Sequence, residues 1–392
     1  MHCLKLNKII KNLSIKIFVF ISLLSSICIF EIFNEANKIE FNFNKDSRGY
    51  DYYNSFNKLR NQYINDPFLK IFLKEINLES YDYNENLKKD NNEIHVIVNM
   101  NSKYFYPTLV SINSALRNSN KNKTTLVYHI LLPKAIGKDY INKIKSLLLI
   151  YPTNLVIIIY NMGKLFSKFK RNRFSEVTFY RLLSPLFIPL DKIIYMDSDV
   201  LVFKDLEEMY NLQFHNNYVL GYLDLLSDGV DYLGLISEKY INAGVLLLNL
   251  KLIRENNKFY ELLHMAKYCK DLKNNDQTII NFIFYPNIGT LPLKFGIFNF
   301  DSIFDIKYLY LRKIRQQLNF TELVEAFKDP AIMHYTLCIP KVWNSNSIFS
   351  KKYTRTGTIN RTKCQKYQNI WIENAYNTSF YKEIAEHYKL KT

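Results

Sequence analysis

From residue 93 onward, short runs rich in β-branched residues alternate with longer stretches whose apolar residues recur at helical spacing. That alternation restricts the chain to an α/β fold, a mostly parallel sheet with covering helices. The first run, IHVIVN at residues 94–99, precedes Leu109, Ile112, Ala115 and Leu116 on one helical face. LVYHILL at residues 126–132 and LVIIIY at residues 155–160 continue the series. Three such units in a row predict a doubly wound beginning. Sheets of this kind bind ligands beyond the carboxyl ends of their strands, where Asn99 and its neighbours fall.

Only ten glycines are present, and neither GxGxxG nor GxxxxGK[ST] occurs. Phosphates must therefore be met without a glycine-rich cradle. Residues 174–189 read as a helix carrying Arg181, and residues 192–196, KIIYM, read as a further strand. Asp197, Ser198 and Asp199 follow at once. Alternate residues of an extended chain point to one side, so the two carboxylates converge. Left unpaired they would repel and lose hydration, which makes a hard divalent cation their natural partner. Such a cation could bridge the two phosphates of a sugar nucleotide and offset the charge of the departing diphosphate. Standing alone, an Asp-x-Asp triplet is more often a solvated turn or a helix cap.

The flanking residues narrow that choice. LDKIIYMDSDVLVFKDLEEMYN, residues 190–211, resembles the metal-binding region of glycosyltransferase family 8, which includes glycogenin-like enzymes, bacterial lipopolysaccharide galactosyl- and glucosyltransferases and plant galacturonosyltransferases. YINAGVLLLNLKLIREN at residues 240–256 resembles the family's Asn-Ala-Gly strand, and NNDQTIINFIF at residues 274–284 its Asp-Gln-Asp helix. LPLKFGIFNF and PAIMHYTLCIPKVW follow in the family's order. The resemblance implies a GT-A fold and a retaining transferase. It also implies a UDP-sugar donor, with glucose, galactose and xylose as candidate sugars, and a glycan, glycoprotein or glycolipid acceptor.

By the same resemblance, His334 joins Asp197 and Asp199 as a metal ligand. An imidazole beside two carboxylates favours Mn²⁺, with Mg²⁺ as the alternative. Asn99 and Tyr104 match positions at the base and ribose, Arg181 a donor contact, and Lys341 the diphosphate lysine. Ser198 lies within the cofactor-binding triplet. Asp224, Asn242 and Ala243 match the donor-sugar loop, completed by Gly244, and Asp276 and Gln277 match the reacting end of the sugar. Gln277 is not a carboxylate nucleophile, so retention implies a same-face reaction in which the leaving diphosphate helps deprotonate the acceptor. Read singly, Asp276 would be a helix N-cap, Asn242 a turn residue, Tyr104 a packing residue, His334 an ordinary core histidine, and Arg181 and Lys341 solvated cations. Two departures stand out: Thr278 replaces a common second aspartate, and Leu337 and Val342 replace the glycine and proline around Lys341. They keep open a non-catalytic member that only binds sugar nucleotides.

The flanks carry a different signal. Residues 17–30 are apolar and follow Lys5, Lys8, Lys11 and Lys16, a pattern that keeps the N-terminus cytoplasmic. The expected organisation is a cytoplasmic tail (1–12), a signal-anchor (13–33), a stem (34–92), the catalytic domain (93–345) and a basic, aromatic extension (346–392) with a helix at 370–388. That is a single-pass type II protein of the Golgi or endoplasmic reticulum membrane with a lumenal body; a cleaved signal peptide is the competing reading. Sequons at Asn122, Asn319, Asn360 and Asn377 suit the lumen, and Cys269, Cys338 and Cys364 allow one internal disulfide at most. The formal charge of +16 is spread through a chain in which Lys and Asn are abundant everywhere. No segment concentrates Arg as base readout requires, so a nucleic-acid partner is not expected.

Overall fold

The structure is a computed structural model that describes residues 47–82, 87, 91–134, 136–166, 175–224, 240–269, 272, 274–298, 319–336, 341–343 and 361–390. The expected signal-anchor, residues 13–33, lies outside them. Among the described residues, no helix is long and apolar enough to cross a membrane.

Helices α1 (Ser47–Tyr63) and α2 (Lys70–Leu73) lead into strand β1 (Asn77–Asp82). The expected units then appear in order: β2 (Asn92–Asn99), α3 (Phe105–Asn118), β3 (Thr124–Leu132), α4 (Lys138–Ile150) and β4 (Leu155–Asn161). Residues 174–189 do not form one α-helix. They make a 3-10 helix, Glu176–Leu183, and a single turn, α5 (Ser184–Phe187), with Pro185 as its second residue, where a missing N–H is tolerated. Strands β5 (Lys192–Met196) and β6 (Val200–Val202) bracket the acidic triplet. After them come α6 (Glu207–Tyr210), β7 (Val219–Leu223), β8 (Ile241–Asn249), α7 (Leu250–Glu255), α8 (Lys258–Tyr268) and α9 (Asn275–Phe284). Strands β9 (Ile288–Thr290) and β10 (Ile297–Phe298), helix α10 (Phe320–Lys328), strand β11 (Ile332–His334) and helices α11 (Arg361–Tyr376) and α12 (Tyr381–Tyr388) complete the set.

Eight strands form one sheet in the order β1-β4-β3-β2-β5-β8-β7-β9. Its β4-β3-β2-β5 centre is parallel, as expected, whereas β8 runs antiparallel to both β5 and β7. Successive side chains of β4 divide between two cores: Leu155, Ile157 and Ile159 pack on one face, Val156, Ile158 and Tyr160 on the other. Burial on both faces is what makes these strands continuous apolar runs rather than alternating ones. A second, three-stranded sheet, β10-β11-β6, stands beside the first.

Both flanks, expected outside the catalytic domain, are packed into it over their described residues. Strand β1 pairs antiparallel with β4, and Phe56 of α1 is buried in the core. The chain from α1 through β1 is thus packed on the sheet of the catalytic domain. At the other end, the single expected helix is two, broken between Asn377 and Phe380. Trp371 is buried against Trp343, with ring centroids 5.5 Å apart, whereas Tyr376 is exposed.

A buried polar chain ties α1 to the sheet. His95 Nδ1 lies 3.0 Å from His129 Nε2, and His129 Nδ1 lies 3.1 Å from the Tyr160 hydroxyl and 3.3 Å from that of Tyr52. Burial, and then the neighbouring His95, holds the His129 imidazole neutral well below its ordinary range. Below about pH 6.5 the unfolded chain takes up a proton that the folded chain refuses. The contribution is therefore whole above that pH and is lost as acid is added. Thermal midpoints should fall between pH 7.5 and 4.5, and His129→Phe should flatten that slope; parallel slopes would remove His129 from the account.

Candidate active site

The acidic triplet occupies the turn between β5 and β6. Asp197 N–H donates to Gly244 O at 2.8 Å, which fixes the turn against β8. Ser198 is buried; its hydroxyl donates to Asn99 O (3.0 Å) and accepts from Thr108 Oγ1 (2.9 Å). It thus pins the turn to the ends of β2 and α3. The pairing of β11 with β6 brings in the distant histidine: His334 stands opposite Val200, and Tyr335 N–H donates to Asp199 O at 2.8 Å.

The three expected ligands do come together. One ligand atom from each of Asp197, Asp199 and His334 can be chosen so that all lie within 4.8 Å of one another. His334 Nε2 is 3.1 Å from Asp199 Oδ1 and 3.8 Å from Asp197 Oδ2. A cation-sized gap lined by two carboxylates and an imidazole fits a divalent ion of the borderline class. The Asp197 carboxylate has one oxygen committed already, because Oδ1 accepts from the Tyr195 hydroxyl (2.6 Å) and from Arg181 Nη2 (2.8 Å). Oδ2 is the atom turned toward His334.

Arg181 stands behind this cluster rather than as a solvated cation. Its guanidinium is buried, stacks 3.6 Å from the Tyr195 ring centroid, and donates to Thr178 O (3.1 Å) and Ala243 O besides Asp197. Asp276 Oδ2 lies 3.2 Å away, and Thr178 Oγ1 donates to the other oxygen of that carboxylate. Burial pushes the Asp276 carboxyl up, although Arg181 and Thr178 pull it down. Asp276 is therefore no N-cap. That position at the start of α9 falls to Asn274.

Lys341 reaches Asp199 Oδ2 at 2.5 Å and donates to Tyr335 O at 2.8 Å. Burial disfavours the charged form of Asp199, but Lys341 and His334 outweigh it and hold its carboxyl well below the usual range. The sugar-end residues also converge. Gln277 Nε2 donates to Asp224 Oδ2 (2.7 Å), and Gln277 Oε1 accepts from Ala243 N–H (3.1 Å). Asn242 Nδ2 lies 3.4 Å from the same Asp224 oxygen. Thr278, at the departure from the family pattern, is buried with its hydroxyl 3.4 Å from that of Tyr240. Leu337 lies outside the described residues.

At the base-and-ribose end, buried Asn99 donates through Nδ2 to Val177 O (2.9 Å), while its Oδ1 meets no hydrogen-bond donor among the described residues. Tyr104 is half-buried, edge-on to Trp343 with centroids 6.0 Å apart. Two functional residues escape a reading confined to charged and amide groups: Tyr195 beneath Arg181, and Tyr222, whose hydroxyl lies 2.6 Å from His334 Nδ1. Burial, with Asp224, Asp197 and Asp199 nearby, keeps the Tyr222 phenol protonated well above its ordinary value. Each tyrosine precedes an aspartate by two residues at a strand end, and strand alternation is the signal that could have exposed both.

A mixed sheet ending in two carboxylates and a histidine could hold a cation beside a ligand, and comparison with known proteins gives the class, a glycosyltransferase of the GT-A fold. The sequence model of glycosyl transferase family 8 matches residues 95–347. The chain is 28% identical over 289 residues to lipopolysaccharide 1,2-glucosyltransferase of Escherichia coli, covering 71% of this chain and 80% of that one. It is 23% identical over 240 residues to lipopolysaccharide 1,3-galactosyltransferase of Salmonella typhimurium, covering 58% and 70% respectively. Among solved structures, galactosyltransferase LgtC in complex with donor and acceptor sugar analogues matches at a TM-score of 0.57 and 20% identity, over 74% of this chain and 100% of that one. The bifunctional glycosyltransferase WbbM, in its apo form, matches at 0.60 and 23%, over 79% of this chain and 54% of that one. The chain belongs to glycosyl transferase family 8.

Proposed function

We propose that this glycosyltransferase moves a hexose or pentose, with retention of configuration, from a UDP-sugar to a glycan, glycoprotein or glycolipid acceptor. Asp197, Asp199 and His334 hold the divalent cation, Mn²⁺ in preference to Mg²⁺. The observation that carries this reading is the convergence of those three side chains within 4.8 Å, from a turn and a strand that meet only in the folded chain. When bound there, the cation supplies positive charge to the diphosphate oxygens. Further support comes from the buried Asn99 Oδ1, an acceptor suited to a base N–H. The relatives, a glucosyltransferase and a galactosyltransferase, favour UDP-hexoses as first candidates.

In this scheme Lys341, which pairs with Asp199 in the structure, would turn to the donor diphosphate and offset its charge. Gln277 and Asp224 form one hydrogen-bonded wall for the sugar, held by the Ala243 amide. Arg181 holds the Asp197 carboxylate from behind, and Ser198 pins the turn that carries both carboxylates. The test is release of UDP from a panel of UDP-sugars with Mn²⁺ and with chelator, followed by the anomeric form of the product. Turnover with at least one donor, reduced about a hundredfold or more by chelation, is expected. Equal turnover in chelator would refute the metal reading.

A further inference from the structure

A histidine that ligates a metal must present one ring nitrogen with a free lone pair, and the partner of its other nitrogen decides which one. In His334, Nε2 faces Asp199 and Asp197 at 3.1 and 3.8 Å, and Nδ1 faces the Tyr222 hydroxyl at 2.6 Å. The hydroxyl has a second neighbour, Asn242 Oδ1, also at 2.6 Å. Which way that amide is turned therefore decides the whole chain. Gly244 N–H donates to Asn242 Oδ1 at 2.8 Å, and Asn242 Nδ2 lies 3.4 Å from Asp224 Oδ2. Reversing the amide would set N–H against N–H on one side and oxygen against carboxylate on the other. The amide oxygen is thus an acceptor toward Tyr222. A phenol has one proton, and it goes to Asn242. Tyr222 can meet His334 only as an acceptor, which requires a hydrogen on Nδ1.

We infer that Tyr222 is a positioning residue that keeps His334 protonated at Nδ1 and so leaves the Nε2 lone pair for a cation between Asp197 and Asp199, a role that rests on reading those three residues as the metal site. The packing around the two rings makes the arrangement rigid. A Cβ on Gly244 would fall 2.1 Å from His334 Cε1, and one on Gly296 would fall 1.8 Å from Tyr222 Cδ1. Each ring thus lies directly on backbone at a glycine, which blocks its movement toward that side. Phe298 closes the remaining side, with centroids 5.0 Å from Tyr222 and 5.8 Å from His334. At 1% and 3% exposure, Tyr222 and His334 have no bulk water to replace the lost partner. Asn242, expected at the donor sugar, is consequently left with only its Nδ2 group to offer a ligand, since two donors already occupy its oxygen.

Tyr222→Phe deletes the hydroxyl and keeps the ring. Two measurements on the full chain with ¹⁵N-labelled histidine decide the matter: the His334 ring resonances, assigned by their loss in His334→Gln, and Mn²⁺ affinity from the paramagnetic signal of the free ion. In the wild type without metal, Nδ1 should carry a proton. In Tyr222→Phe the form protonated at Nε2, which donates to Asp199, becomes available. The Nδ1 resonance should move toward the unprotonated range, and the Mn²⁺ dissociation constant should rise about 10- to 100-fold in a protein that still melts cooperatively. An unprotonated Nδ1 in the wild type overturns the inference before any variant is made, as does a Tyr222→Phe chain with unchanged Nδ1 and unchanged affinity. A wild-type chain that binds no Mn²⁺ at all overturns the underlying cation reading instead.

Discussion

Asp199→Asn is expected to lower the rate of sugar transfer about a thousandfold or more while leaving the protein folded. The amide keeps the shape of the side chain and removes its charge. On the proposed metal reading, loss of one anionic ligand from a site whose cation would stabilise the transition state by several kcal/mol corresponds to that factor, because about 4 kcal/mol is three powers of ten. The effect on stability is smaller. Lys341 loses its carboxylate partner but keeps Tyr335 O at 2.8 Å and is one-fifth exposed, so it can turn to water. The amide does not ionise, so raising the pH cannot rescue the variant. Steady-state transfer and Mn²⁺ titration of the purified variant provide the check. Near wild-type turnover with normal metal dependence would remove Asp199 from the site.

The central strands and the Asp197–Asp199 pair were legible in the sequence for one physical reason, since each is written in contiguous residues or in a spacing that strands enforce, whereas His334 was joined to them by the family resemblance alone. The run KIIYM coincides with β5, and β2, β3 and β4 extend their predicted runs by no more than two residues at either end. The flanks were not legible, because α1 is Asn- and Tyr-rich and draws its place from tertiary contacts, Phe56 in the core and Tyr52 on the His129–Tyr160 chain. Polar composition concealed a helix that is part of the fold. The roles of Arg181 and Asp276 were hidden for a related reason. Nothing local in the sequence says that an arginine in a 3-10 helix and an aspartate almost a hundred positions later will share one buried ion pair. Resemblance placed both near the donor, whereas the structure gives each a protein partner.

That partnership has a consequence for folding as large as the one Asp199 has for catalysis. Burial alone would weaken the Arg181 charge, but Asp276, Tyr195 and Asp197 outweigh it and hold the guanidinium ionised. Arg181→Met keeps an apolar stem over Tyr195 and leaves two carboxylates without their cation, one of them, Asp276, almost wholly buried. Breaking one side of a buried pair costs about 3–5 kcal/mol, most of it the penalty of the charge left behind. The double variant Arg181→Met/Asp276→Asn removes that orphan and should regain a substantial part of the loss, a coupling of about 1–3 kcal/mol between the two sites. Transfer should stay low in both, because Asp197 Oδ1 has lost one of the two donors that turn Oδ2 toward His334, the Tyr195 hydroxyl being left alone. Chemical denaturation of the wild type, both single variants and the double variant completes the cycle. Strictly additive losses would mean that Arg181 and Asp276 do not act as a pair.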